Sequence, residues 1–310
     1  MLVPMTVDSS NQSDAGARPG PFALLRAMRP IQWSKNVLLA VPIVTGHAWD
    51  DTPRLMNLLL AMVGFSLAAS AVYLVNDVID REDDRRHPTK RQRPIASGAV
   101  SVPIALAAAA LLLGAAILIG LRIEGWFIEL MLAYIVIATS YSMYFKRKPI
   151  LDAIFLAGLY THRIVIGGEA VDLFPTPWLL AFSMFIFLSL AFAKRHAELQ
   201  LRATAGERPS ANRGYTTGDL PLLASAGIAS GYAGVLVLAL YINSKMGDPF
   251  YELPRLLWLI CPLLIYWITR VWLLSHRGKL RDDPLMFTLT DRASWLVMAL
   301  AVATVVVATG

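Results

Sequence analysis

The chain has 310 residues, of which 56% are apolar and only 16% charged, with a formal net charge of +6. Soluble domains carry about a quarter charged residues, so this composition excludes an ordinary soluble domain and describes an all-α polytopic membrane protein, with apolar runs able to cross about 30 Å of hydrocarbon. The single cysteine, Cys261, excludes a disulfide framework or a thiolate metal site, and the positive charge is no sign of a nucleic-acid partner because the bases cluster in alternate loops.

Residues 1–22 are mostly polar and rich in Gly, Ser and Pro, and lack the apolar core of a signal peptide. They are expected to form a disordered cytoplasmic tail, with residues 23–310 as one nine-helix transmembrane catalytic domain. The nine predicted spans are 33–49, 55–75, 100–121, 126–144, 150–170, 177–194, 220–242, 254–274 and 292–309. The first is polar at its start (Trp33, Lys35, Asn36) and carries Pro42, where a kink is expected.

The segment after the second span, NDVIDREDDRRHPTKRQRPIASG, is the densest charge cluster in the chain. If the preceding helix runs on through it, Asn76, Asp80 and Asp84 fall at i, i+4 and i+8 on one face, about 6 Å apart per step. Oxygen donors in a row repel one another unless a cation sits among them, and carboxylates with an amide suit Mg²⁺. The basic run that follows, including Arg85, Lys90 and Arg91, supplies the groups that match phosphate oxygens. The chemical reading is a divalent metal bridging a diphosphate. The alternative is a solvated loop whose acids pair with its own arginines.

Later clusters repeat the theme. YSMYFKRKPILD sets Tyr141, Tyr144, Lys146, Arg147 and Lys148 at the end of the fourth span, either to meet phosphate or to anchor the interface. In the fifth, His162 is expected to pack or hydrogen-bond, while Arg163 needs a partner; Asp152, Asp80 or a bound phosphate are the candidates. AFAKRHAELQ offers Lys194, Arg195 and Glu198, with Lys194 and Glu198 spaced as a helical pair. The loop beyond it, with Arg208, Arg213, Tyr215 and Asp219, suits a mobile lid, although an idle connector has the same composition. Asp282 and Asp283, before the last span, lack the spacing of the first motif and form a weaker metal or lid candidate.

Of the 28 bases, 23 fall on the side of the N-terminal tail and of the loops after spans two, four, six and eight. The positive-inside rule then puts the N-terminus and all these clusters in the cytoplasm and the C-terminus outside. The polar groups converge on one membrane face, as an active-site mouth requires and a channel does not.

Asn76, Asp77, Asp80 and Asp84 compose an N-D-x-x-D-x-x-x-D motif that resembles the first aspartate-rich motif of the UbiA superfamily of intramembrane prenyltransferases, and the nine-span plan extends the resemblance from about residue 24 onward. RPIQWSKNVLLAVP, HPTKRQRPIASG, the FKRK segment and AKRHAEL narrow it to the branch of decaprenyl-phosphate phosphoribosyltransferases. The resemblance implies a UbiA-like bundle in the inner (plasma) membrane. It also implies Mg²⁺ held by Asn76, Asp77, Asp80 and Asp84, with phosphoribosyl diphosphate (PRPP) and a polyprenyl phosphate as substrates. Asp80, Asp84 and Lys194 are the expected catalytic groups. Lys35, Arg85, Lys90, Arg91, Tyr141, Lys146, Arg163, Arg195 and Glu198 are expected to bind substrate. Aromatic-acceptor members usually carry a second D-x-x-x-D motif where this chain reads K-R-H-A-E, which favours a heavily phosphorylated donor and implies one firmly held metal, any second arriving with substrate. The product would feed pentose transfer to a cell-envelope polymer. The resemblance also allows a homo-oligomer. The rival readings are a prenyltransferase acting on an aromatic acceptor and a transporter or lipid-binding scaffold, which would need polar groups deep in paired broken helices.

Overall fold

A computed structural model describes residues 22–86, 90–205, 214–246, 251–280 and 284–309. Residues 1–21 of the expected tail, and Arg208, Arg213, Asp282 and Asp283, lie outside the described residues. Those described form helices and connecting turns, with no strand among them. Their order is α1 (Ala23–Ala27), a 3₁₀ segment (Pro30–Ala40), α2 (Val41–Thr45), α3 (Thr52–Ile79), α4 (Arg81–Arg86), α5 (Val102–Gly120), α6 (Phe127–Met143), α7 (Leu151–Ala170), α8 (Pro177–Ala205), α9 (Leu220–Ser244), α10 (Ile260–His276), α11 (Pro284–Thr290) and α12 (Arg292–Thr309), with short 3₁₀ turns at Lys90–Gln92, Phe145–Arg147, Thr217–Asp219 and Pro254–Leu259.

By length and apolarity, seven segments among the described residues can cross a membrane: Thr52–Ile79, Val102–Gly120, Phe127–Arg147, Pro177–Ala203, Thr217–Ser244, Pro254–His276 and Arg292–Thr309. The other two expected spans are built differently. The first is a run of 3₁₀ helix that becomes α-helical around Pro42, giving two short pieces in place of one helix. The fifth is α7, whose 20 residues reach about 30 Å but carry Asp152, Arg163 and Glu169.

That polarity follows from where α7 sits. Ala153, Ala157, Tyr160 and Ile164, at helical spacing, join a core made mainly with α8, α9 and α10. Leu159, Ile166 and Ala170 join a second core built on α2, α3 and α6. The helix is therefore enclosed by protein on two sides, and a polar residue on it faces other side chains. A third cluster packs α1 and α5 against α3. Gly167 lets the 3₁₀ segment close on α7, because a Cβ there would run into the backbone of Leu39.

Candidate active site

A cavity of about 450 Å³ opens among the 3₁₀ segment and α3, α4, α6, α7 and α8. Among the described residues lining it, nine side chains are cationic and five anionic. It gathers twelve of the fourteen expected metal-holding, catalytic and substrate-binding residues, Lys35, Asn76, Asp77, Asp80, Asp84, Lys90, Tyr141, Lys146, Arg163, Lys194, Arg195 and Glu198, together with Arg147. Two expected binders are elsewhere. Arg85 donates from Nε to the Ala96 carbonyl (3.0 Å) and from Nη1 to Glu82 (3.1 Å), and Arg91 is exposed on its 3₁₀ turn. Arg85, on α4, is held by those two acceptors, and Arg91, on the turn beyond it, is left to solvent.

The acidic rim is not one continuous helix. α3 ends at Ile79, Asp80 caps it in a non-helical conformation (φ −83°, ψ 2°), and α4 starts at Arg81. The hydrogen-bond ladder nonetheless crosses the break: the Asp80 N–H donates to the Asn76 carbonyl (2.9 Å), and the Asp84 N–H to that of Asp80 (2.8 Å). The three residues therefore still line one cavity. Asp77 and Asp84 are buried. Arg29 Nη2 lies 2.5 Å from Asp77 Oδ1, Arg93 Nη1 reaches Asp84 Oδ2 (2.6 Å) and Asp77 Oδ1 (3.3 Å), and Lys146 Nζ meets both Asp80 oxygens (2.8 and 3.0 Å).

Asn76 Oδ1 is buried and, among the described residues, accepts no hydrogen bond, which a buried amide oxygen does at a cost unless something else fills the position. Together with the neighbouring carboxylates, this orphaned oxygen fits a hard cation such as Mg²⁺. Among the described residues, no group of three or more His, Cys, Asp or Glu side chains is arranged to hold a metal by itself. A Mg²⁺ ion that keeps waters and takes ligands from substrate phosphates needs no such cage.

The opposite wall is built on Arg195, only 2% exposed. Its Nε donates to Asp152 Oδ2 (2.5 Å), Nη1 to both Glu198 oxygens (2.9 and 3.1 Å) and Nη2 to the Tyr141 hydroxyl (3.0 Å). Asp152 also accepts from the Tyr215 hydroxyl, whose oxygen in turn receives the Ile150 N–H (2.7 Å). Burial, then the bond to Asp152, raises the Tyr215 pKa above its usual value, so the phenol stays a neutral donor. Ile150 itself is held at φ 68°, ψ −52°, with the Leu151 N–H bonded to the Pro149 carbonyl (2.7 Å): a strained γ-turn directly after the basic FKRK run. Of the expected lid, Tyr215 thus docks as a fixed strut.

Of the partners expected for Arg163, neither carboxylate is its own. Asp152 is taken by Arg195 and Asp80 by Lys146, and Arg163 instead bonds the Asn36 side chain, the Leu159 carbonyl and the Tyr134 hydroxyl. The carboxylates pair with Lys146, on the turn after α6, and with Arg195 of α8, and Arg163 comes 11 residues after Asp152 along α7. His162 makes the hydrogen bond expected of it, to the Leu130 carbonyl (2.8 Å).

Sequence reasoning missed Arg29, Gln32 and Arg93 as lining residues. Gln32 and Lys35 are three apart on the 3₁₀ segment, where such residues eclipse, and Arg29 precedes it in a left-handed conformation; 3₁₀ runs of this length are uncommon.

The UbiA prenyltransferase family model matches residues 38–296. An uncharacterized protein, y4nM, of Sinorhizobium fredii is 37% identical over 92% of this chain, and the chain spans 55% of that relative's length. Nodulation protein NoeC of Azorhizobium caulinodans is 35% identical over 86% of this chain and 87% of its own. Decaprenyl-phosphate phosphoribosyltransferase of Mycolicibacterium smegmatis is 38% identical over 60% of this chain and 59% of its own. A UbiA homolog from Archaeoglobus fulgidus, solved with GPP and Mg²⁺, shares the fold at a TM-score of 0.67 and 20% identity, covering 91% of this chain and 99% of that one.

Proposed function

This chain belongs to the UbiA prenyltransferase family, and we propose that within it the chain transfers a 5-phosphoribosyl group from PRPP to a polyprenyl phosphate, with release of diphosphate. The observation that carries this reading is the charge of the cavity wall. Where aromatic-acceptor members usually carry a second acidic pair, Lys194 and Arg195 line the cavity, which holds nine cations to five anions. An excess of fixed positive charge suits a donor with a 5-phosphate as well as a diphosphate, and an acceptor that is itself a phosphate. The relatives named decaprenyl-phosphate phosphoribosyltransferase support the same reaction.

Asn76, Asp77, Asp80 and Asp84 would hold Mg²⁺. When bound, the metal offsets charge on the diphosphate as a Lewis acid. The chain's own cations do the rest. Lys146 stands at Asp80 and Lys90 and Lys194 line the same cavity, where they meet the negative charge that grows on the leaving diphosphate. Arg195 is held in one orientation by Asp152, Tyr141 and Glu198, so no reorganisation is needed as that charge develops. The bond from ribose C1 to the diphosphate oxygen breaks, and a lipid phosphate oxygen bonds to C1 from the opposite face, with inversion. The acceptor is already an anion, so no general base is required.

The protein is an integral membrane enzyme of this family, and the reading places its acidic rim on the cytoplasmic side of the plasma membrane, where PRPP is available. A Mg²⁺-dependent assay in nanodiscs tests it, with labelled PRPP and polyprenyl phosphate in one arm and a prenyl diphosphate with an aromatic acid in the other. Lipid-soluble label from PRPP is expected, falling by about a hundredfold or more in Asp80→Ala and Asp84→Ala. Turnover in the second arm alone would replace this reading with aromatic prenylation.

A further inference from the structure

We infer that Arg163 and Lys35 form a second, deeper anion subsite that takes the phosphate monoester of the lipid acceptor and so selects a phosphorylated lipid over a neutral one. The choice of acceptor rests on the phosphoribosyl transfer proposed above; the anion subsite itself rests on geometry.

Arg163 is 4% exposed in the middle of α7. Its three hydrogen bonds, from Nε to Asn36 Oδ1 (3.3 Å), Nη1 to the Leu159 carbonyl (2.8 Å) and Nη2 to the Tyr134 hydroxyl (3.1 Å), all end on neutral acceptors. Among the described residues no carboxylate forms an ion pair with it. A guanidinium has five N–H groups and does not shed its proton, so one N–H on each Nη and the whole charge remain to be matched. The surrounding rings of Phe65, Tyr134 and Tyr160, with centroids 5.1 to 5.7 Å from Cζ, soften that charge without neutralising it. Lys35, also buried, has its Nζ 5.5 Å from the Tyr160 ring, so two cations flank one aromatic side chain, and all three residues line the cavity. Ionisable groups at such depth are costly unless they bind something.

This subsite is separate from the acidic rim. The Arg163 guanidinium lies 5.4 Å from the ring of Phe65 on α3, and Asn76 of the rim comes 11 residues later on that helix, about 16 Å along its axis. Arg29, just before the 3₁₀ segment, pairs with Asp77 at the rim, and Lys35 stands five residues after the segment's first residue, Pro30, about 10 Å along its axis. Both scales give a separation of about 10 Å or more. A water-soluble donor meets the rim first, whereas the acceptor arrives from the bilayer with its tail in hydrocarbon, at the depth where Lys35 and Arg163 stand. A neutral acceptor would leave the Arg163 charge unmatched, and that penalty is the source of selectivity.

The test uses the full chain in nanodiscs, with Arg163→Gln, Arg163→Lys and Lys35→Gln. KM is measured for polyprenyl phosphate at saturating PRPP, and for PRPP at saturating lipid. The expected result is a rise of about tenfold or more in the KM for lipid phosphate in both Gln variants, smaller in Arg163→Lys, with the KM for PRPP unchanged within about twofold. A rise in the PRPP value instead would assign the subsite to the 5-phosphate and overturn the proposal, as would no change in either. A second arm needs no turnover: retention of labelled polyprenyl phosphate and of the corresponding polyprenol by the detergent-purified protein. The wild type is expected to prefer the phosphate and the Gln variants to lose that preference; equal retention of both lipids by the wild type overturns the subsite. If the wild type turns over no PRPP, the phosphoribosyl reading fails while the retention arm still decides the subsite. Lys35→Gln, on a separate segment from α7, carries the test should Arg163→Gln not fold.

Discussion

Asp152 is wholly buried and answers three elements at once: it starts α7, receives Arg195 from α8 and receives Tyr215 from the segment that leads into α9. An acid buried this completely is stable only while its partners remain, and the converse holds for Arg195, whose other carboxylate, Glu198, is a third exposed. Asp152→Ala should therefore destabilise the protein by about 3–5 kcal/mol, read as a fall in the thermal unfolding temperature in detergent. Adding Arg195→Met should restore part of that loss, because the uncompensated charge goes with it. From the sequence, Asp152 was a candidate partner for Arg163, eleven residues along the same helix. The choice of Arg195 instead follows from the packing of α7 on α8, which no local pattern announces.

At the level of elements, the 3₁₀ segment decides more than any helix. Its period of three stacks Gln32 and Lys35 on the cavity side, while Asn36 lies against Arg163 and donates to Ser66 of α3 (2.8 Å). The close contact at Gly167 holds it there. Gly167→Val should force the segment away from α7, costing about 1–3 kcal/mol in stability and weakening activity together with it. Gly158→Ala, on the same helix but with open space where its Cβ would stand, should be neutral or stabilising by up to about 1 kcal/mol. Equal losses in the two variants would show that helix propensity, and not the contact with Leu39, governs this position. The acidic rim carries a related lesson: the one-face spacing was conditional on a helix running through Asp80, and the chain breaks there yet keeps the spacing, because the backbone bonds from Asp80 and Asp84 each reach four residues back.

For the molecule as a whole, the acids of the rim already have cationic partners in Arg29, Arg93 and Lys146, so metal binding is not what holds the helices together. Chelation with EDTA should stop turnover reversibly and leave the unfolding temperature unchanged; a large fall would give the metal a structural part. Orientation can be read by labelling. With buried Cys261 replaced by Ser, a cysteine at exposed Ser97 should react only from the cytoplasmic side, and one at exposed Glu124, beyond the far end of α5, only from outside. Reaction from the reverse sides would invert the topology. By itself the sequence determined the all-helical membrane class, the apolar runs that became seven of the long helices, the charged clusters that gather at one end, and the family, because hydropathy, charge density and short motifs are local properties. Only the tertiary structure decided which charges meet, since Arg29 with Asp77, Asp152 with Arg195 and Asp80 with Lys146 lie 48, 43 and 66 residues apart. Pairing over such separations depends on which helices become neighbours, and the same packing leaves Arg163 facing the cavity with its charge unmatched by any described carboxylate.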